Sequence, residues 1–136
     1  MQKCLLDTDT LSLYMRGDAS VEARVSQYLS IYPRLTFSIM TQYEILRGLK
    51  ARQAGARERA FLALCQSSEI LPLSTDIVVQ AAEIYGELVP RGQLIGDSDI
   101  LIAATALVHN VTVVSNNTKH FRRVPELSLE NWHEVE

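Results

Sequence analysis

The chain has 136 residues, 47% hydrophobic and 21% charged, with a formal net charge of −3 at pH 7. That length bounds residues 1–136 to one domain, and the composition excludes a disordered chain. No run of about eighteen apolar residues occurs, and the two cysteines, Cys4 and Cys65, sit in apolar stretches without Cys-x-x-Cys spacing, so a membrane span, a disulfide framework and a zinc site are all excluded and a reduced, cytoplasmic setting is expected.

From the amino terminus, Lys3 to Leu6 is a short apolar run stopped by Asp7, which predicts a buried strand whose carboxyl end delivers an acid. A short helix is expected from Asp9 to Arg16, ended by Gly17. Val21, Val25 and Leu29 recur at helical spacing before Pro33 breaks the chain. Leu35 to Ser38 reads as a second strand, followed by a helix over about Met40 to Lys50 with Thr41 as its cap and Glu44 on its surface. A polar, basic segment, Arg47 to Arg59, leads to a helix around Ala60 to Leu64, and Glu69 to Leu71 is a third strand closed by Pro72.

Ser74 and Thr75 can cap a long helix in which Ile77, Val78, Ala81, Ile84, Tyr85, Leu88 and Val89 recur at three and four residues. Pro90 and Gly92 end it. Gly96-Asp97-Ser98-Asp99 then opens an Ala-rich helix apolar nearly all round, as a central buried helix should be, with Asp97 expected as its cap, or else as an extra carboxylate from the same turn, and Asp99 in its first turn. Val111 to Val114 is the clearest strand, ending at Ser115-Asn116-Asn117, and Leu127 to Leu129 supplies a last one. Short strands alternating with helices predict an α/β/α sandwich around a central, mostly parallel sheet.

In such sheets ligands bind outside the carboxyl ends of the strands. Asp7 follows the first strand directly, Ser115 and Asn117 follow the Val111–Val114 strand, Glu44 lies one turn into the helix after the second strand, and Asp99 opens a helix. Each also has a local reading: Asp7 as a cap or turn residue, Glu44 on a solvated face, Asp99 favoured by the helix dipole. The gaps of 37 and 55 residues separating 7, 44 and 99 obey no spacing rule.

Leu-Leu-Asp-Thr-Asp, Thr-Gln-Tyr-Glu-Ile-Leu-Arg-Gly, Gly-Asp-Ser-Asp-Ile-Leu-Ile-Ala-Ala-Thr-Ala and Val-Val-Ser-Asn-Asn nevertheless resemble, in order, the four blocks of PIN-domain nucleases. The closing Phe-Arg-Arg-Val-Pro-Glu-Leu-Ser-Leu-Glu-Asn-Trp resembles the tail of the VapC-type toxins in that family, so the likeness covers nearly the whole chain. It implies a PIN-like α/β/α fold and a metal-dependent endoribonuclease. It further implies that Asp7, Glu44 and Asp99 are the ligands of one or two Mg²⁺ or Mn²⁺ ions. Oxygen donors suit such hard cations, and bringing three acids together without a cation is opposed by like-charge repulsion.

The chain departs from the family at the fourth acidic position, where Asn117 stands in place of Asp and supplies no charge, which puts a second ion in doubt. Thr8 and Ser115 match positions whose hydroxyls order such a site, and Asp9 is left outside it. His109, His120 and His133 are scattered and read as structural or surface residues. The resemblance implies an RNA substrate, a cognate antitoxin as partner, and a homodimer. Arg47, Lys50, Arg91, Lys119, Arg122 and Arg123 are the candidates for phosphate contacts.

Two other readings stay open. Asp7-Thr8-Asp9-Thr10-Leu11 also resembles the Asp-x-Asp-x-Thr/Val motif of haloacid-dehalogenase-like phosphatases, although Leu11 misses its fifth position. Asn117 and the net negative charge fit a PIN-like protein that binds RNA or a partner without cutting, since nucleic-acid binders usually carry a basic footprint.

Overall fold

The computed structural model describes residues 1–134. The chain runs β1 (Cys4–Leu6), α1 (Thr8–Met15), α2 (Ala19–Leu29), β2 (Thr36–Ser38), α3 (Ile39–Ala51), α4 (Gly55–Gln66), β3 (Glu69–Leu71), α5 (Thr75–Leu88), α6 (Asp97–His109), β4 (Thr112–Val114), α7 (Thr118–Phe121) and β5 (Leu129–Glu130). Every ladder is parallel: β1 with β4, β4 with β5, and β2 with β3. They form a three-stranded unit in the order β1-β4-β5 and a two-stranded unit of β2 and β3, with β2 in contact with β1.

The short strands are apolar because both their faces are covered, as parallel sheets require. Side chains alternate across the sheet: Leu5 and Val113 join a core with Ile77, Ile84 and Leu88 of α5 and Ile102 of α6. Cys4, Leu6 and Val114 join the opposite core, with Leu11 of α1, Val25 and Tyr28 of α2, Leu49 of α3 and Phe61 of α4. The first four helices thus cover one face and the last three the other, which is the α/β/α sandwich. No helix among the described residues is long and apolar enough to cross a membrane.

Four local expectations change. The cap of α3 is Ser38, not Thr41: β2 passes into the helix without a loop, and Ser38 Oγ accepts from Met40 N at 3.1 Å and Thr41 N at 3.3 Å. Thr41 is left fully buried in the first turn. The basic stretch after Arg47 is largely helical, α3 continuing to Ala51 and α4 starting at Gly55, because Ile45 and Leu49 keep one apolar stripe against the core. Gly96, not Asp97, is the N-cap of α6, so Asp97 and Asp99 both lie in its first turn. The last strand is Leu129–Glu130 rather than 127–129.

Candidate active site

The register of β1 and β4 begins the site. Leu6 pairs with Val114, so Asp7 and Ser115 leave adjacent strands side by side, and Asp7 N donates to Val114 O at 3.0 Å. Asp7 is also the N-cap of α1, accepting from Thr10 N at 2.8 Å. The local reading of Asp7 as a cap and the reading of it as a site acid therefore describe one residue in one conformation.

Asp7 is 3% exposed. Burial pushes its carboxyl from the usual 3.8 to about 7, against the hydrogen bonds from Ser115 and Thr10 N, which favour the ionised form; the neighbouring charge of Asp9 raises it further.

Glu44 comes to the same edge on α3. Thr8, the first residue of α1, donates from its hydroxyl to Glu44 Oε1 at 2.8 Å and lies 3.2 Å from the Thr41 hydroxyl, so the start of α1 is tied to α3. Arg47 Nη2 lies 3.7 Å from Glu44 Oε2, and its guanidinium stacks over Tyr43. Asp99 arrives from the first turn of α6. Burial raises its pKa first and the Glu44 charge second, while His120 lowers it and Asp9 raises it. Asp99 and Glu44 thus share one field, and Asp9 acts on both Asp7 and Asp99.

Two residues near this edge escaped the sequence. Asp9, set aside as an ordinary first-turn acid, sits where its charge reaches two of the three acids; its two-residue offset from Asp7 was the available signal. His120, taken as structural or surface, has Nδ1 2.9 Å from Asn117 Nδ2 and 3.7 Å from Asp99 Oδ2. Its signal was the three-residue spacing from Asn117, which one helical turn brings together. Asn117 N in turn donates to Ser115 Oγ at 2.8 Å. The other histidines are elsewhere: His133 pairs with Asp18 at 2.9 Å, and His109 ends α6.

Of the basic candidates, Arg47 stands beside Glu44. Lys50 pairs with Glu58 at 3.3 Å, and Arg123 donates to the carbonyls of Gln93 and Leu94 at 3.4 and 3.3 Å. Lys119 and Arg122 belong to the short α7 and its cap.

The donor chemistry fits a hard divalent cation, being a set of carboxylate, hydroxyl and amide oxygens. As they stand, the acids have different partners: Asp7 has Ser115 and Thr10 N, Glu44 has Thr8 and Arg47, and Asp99 has His120. Among the described residues no three His, Cys, Asp or Glu side chains surround one point closely enough to grip an ion.

Residues 4–127 match the PIN domain family. The chain is 37% identical over 91 residues to Ribonuclease VapC2 of Rickettsia felis, a match covering 67% of this chain and 66% of that relative, less than two thirds of its length. It is 28% identical over 134 residues to the tRNA(fMet)-specific endonuclease VapC of Salmonella typhimurium, covering 97% of this chain and 99% of the relative. A crystal structure of DNA-bound VapBC from Salmonella typhimurium superposes with a TM-score of 0.85 at 28% identity, covering 97% of this chain and 99% of the other.

Proposed function

The chain belongs to the PIN-domain family, and from that membership we propose that it is a Mg²⁺- or Mn²⁺-dependent endoribonuclease that hydrolyses RNA phosphodiester bonds as the toxin of a toxin–antitoxin pair. The observation that supports this reading is that Thr8, next to Asp7, bonds Glu44 while the charges of Glu44 and Asp9 act on Asp99, close to the carboxyl edge of β1 and β4. Similarity to VapC ribonucleases supports the reaction, and similarity to a VapBC assembly supports an antitoxin as partner. A homodimer and a cytoplasmic setting complete the reading.

Asp7, Glu44 and Asp99 are the residues that would hold the ion. When bound, it would supply a water of lowered pKa and polarise a phosphoryl oxygen. The remaining work belongs to the chain. The amide of Thr10 fixes the Asp7 carboxyl by a hydrogen bond, Ser115 beside it favours the ionised form, and Thr8 bonds Glu44. Asn117, joined to His120 and Ser115, offers a neutral amide where a fourth carboxylate would add charge, so one firmly held ion is the expected complement.

The test is incubation of the purified chain with a cellular RNA pool, with Mg²⁺ or Mn²⁺ and then with EDTA, beside Asp7→Asn and Asp99→Asn. Discrete cleavage that EDTA and both substitutions abolish is the expected result. Cleavage persisting in the two variants would assign the activity to something other than this site.

A further inference from the structure

The loop after β4 and the short helix α7 carry a side-chain pair, Asn117 and His120. Asn117 Nδ2 lies 2.9 Å from His120 Nδ1, one helical turn on. The same ring nitrogen is 3.7 Å from Asp99 Oδ2, beyond hydrogen-bond reach, so Asn117 is the bonding partner of Nδ1. The backbone of Asn117 is fixed as well, its N–H donating to Ser115 Oγ at 2.8 Å, and Ser115 in turn favours the ionised form of Asp7. Asn117 is thus held between a residue that acts on Asp7 and one that stands beside Asp99.

An amide in this place has two unlike halves. Its carbonyl oxygen is an acceptor that suits a hard cation, whereas its NH₂ group only donates and opposes one. Rotation about one bond exchanges them. With Nδ2 donating, His120 accepts through Nδ1 and carries its ring proton on Nε2; the NH₂ is engaged, and among the described residues Asn117 Oδ1 has no protein partner.

We propose that His120 is a positioning residue for Asn117: it holds the side chain by its nitrogen, so that the carbonyl oxygen is the half left for a divalent cation or its water. The inference rests on the metal-dependent ribonuclease reading above and gives Asn117 a defined part in it. The Asp99 carboxylate pulls the other way, since it favours a proton on Nδ1, which would turn the amide over. The tautomer of His120 is therefore the decisive observation.

Long-range nitrogen–proton NMR of the full chain in EDTA, at about pH 8.5 where an unperturbed imidazole is neutral, reads the tautomer, with the His120 signal identified by its loss in His120→Ala. Mn²⁺ affinity, from the electron paramagnetic resonance of the free ion, is measured for the wild-type chain, His120→Ala, Asn117→Ala, the double variant, His120→Asn and His120→Gln. Asparagine places its polar atoms where imidazole carries Nδ1, and glutamine places them nearer Nε2. Thermal melting verifies the fold of each variant.

The ring proton is expected on Nε2. Each single alanine variant should weaken Mn²⁺ binding about tenfold, the low end for losing a residue that orients a metal site. The double variant should bind no more weakly than the singles, because the pair acts as one unit. His120→Asn should recover most of the affinity lost in His120→Ala, and His120→Gln should not.

A proton on Nδ1, an unchanged Mn²⁺ affinity in His120→Ala, or no Mn²⁺ binding by the wild-type chain would each overturn the proposal. So would a double variant whose loss is the product of the single losses, which would have His120 act on Asp99 directly, or a His120→Gln variant that recovers as well as His120→Asn. Pair-dependent Mn²⁺ binding without RNA cleavage would sink the nuclease reading and leave the positioning role standing. Cleavage abolished by Asp99→Asn, but with the same Mn²⁺ dependence in His120→Ala as in the wild type, would do the reverse.

Discussion

Asp7 combines a local role and a site role in one buried carboxyl. As an N-cap and strand terminus it is well bonded, yet its burial makes ionisation unfavourable and raises its pKa to about 7. The sign follows directly. A carboxyl whose folded pKa lies above its unfolded value stabilises the fold through its protonated form, fully below about pH 4, and that contribution is lost as pH rises through about 7. Asp7→Asn, which keeps the shape and removes the charge, should therefore stabilise the metal-free chain at pH 8 by on the order of 2–4 kcal/mol and have little effect near pH 4. Urea unfolding in EDTA at both pH values measures it, and equal destabilisation at the two would refute the assignment. Asp9 and His120 teach a related lesson: each had an ordinary explanation, and the charge of Asp9 on Asp99 and the 3.7 Å from His120 to Asp99 relate them to a residue on another element.

At the level of elements, α3 is the part most dependent on one side chain. Ser38 ends β2 and caps α3 with no intervening loop, and it is fully buried, so its hydroxyl is the partner of two amides that water does not reach. Ser38→Ala should cost about 1–2 kcal/mol, the usual loss for a cap of this kind, seen as a lowered thermal midpoint. Because the same helix carries Thr41 and Glu44, the variant should also loosen the Thr8–Glu44 contact, and a midpoint equal to wild type would show that the cap carries no weight. The misassigned cap has a simple cause. Ser38 and Thr41 are both good caps, and the choice between them depends on whether β2 passes straight into the helix, which the residues alone do not specify. Periodicity succeeded where elements are long, in α5 and α6, and blurred where α3 and α4 are separated only by Arg52, Gln53 and Ala54, which are all good helix formers.

For the whole molecule, the carboxyl-terminal tail closes the core on the face of α1 to α4. Trp132 is fully buried against Tyr28, with ring centroids 5.8 Å apart, and Arg24 lies 5.6 Å above it while pairing with Glu130 at 3.0 Å. Trp132→Ala should lower stability by about 3–5 kcal/mol, the range for truncating a buried aromatic. The urea midpoint should fall with an unchanged slope, and RNA cleavage at low temperature should be retained, since Trp132 lies in the core behind the sheet rather than among the acids. A loss below about 1 kcal/mol would mean that the tail is dispensable to the core.

The order of elements and the buried strands were legible in the residues, because hydrophobic period is a local property written every two to four positions, whereas Asp7, Glu44 and Asp99 were singled out by resemblance to a family. The tertiary structure alone decided which acids share a field, that Asp9 and His120 stand with them, and that Lys50 and Arg123 are engaged elsewhere. Proximity across gaps of tens of residues, and the desolvation that raises a carboxyl's pKa, arise from packing on both faces of the sheet, and no stretch of sequence carries them by itself.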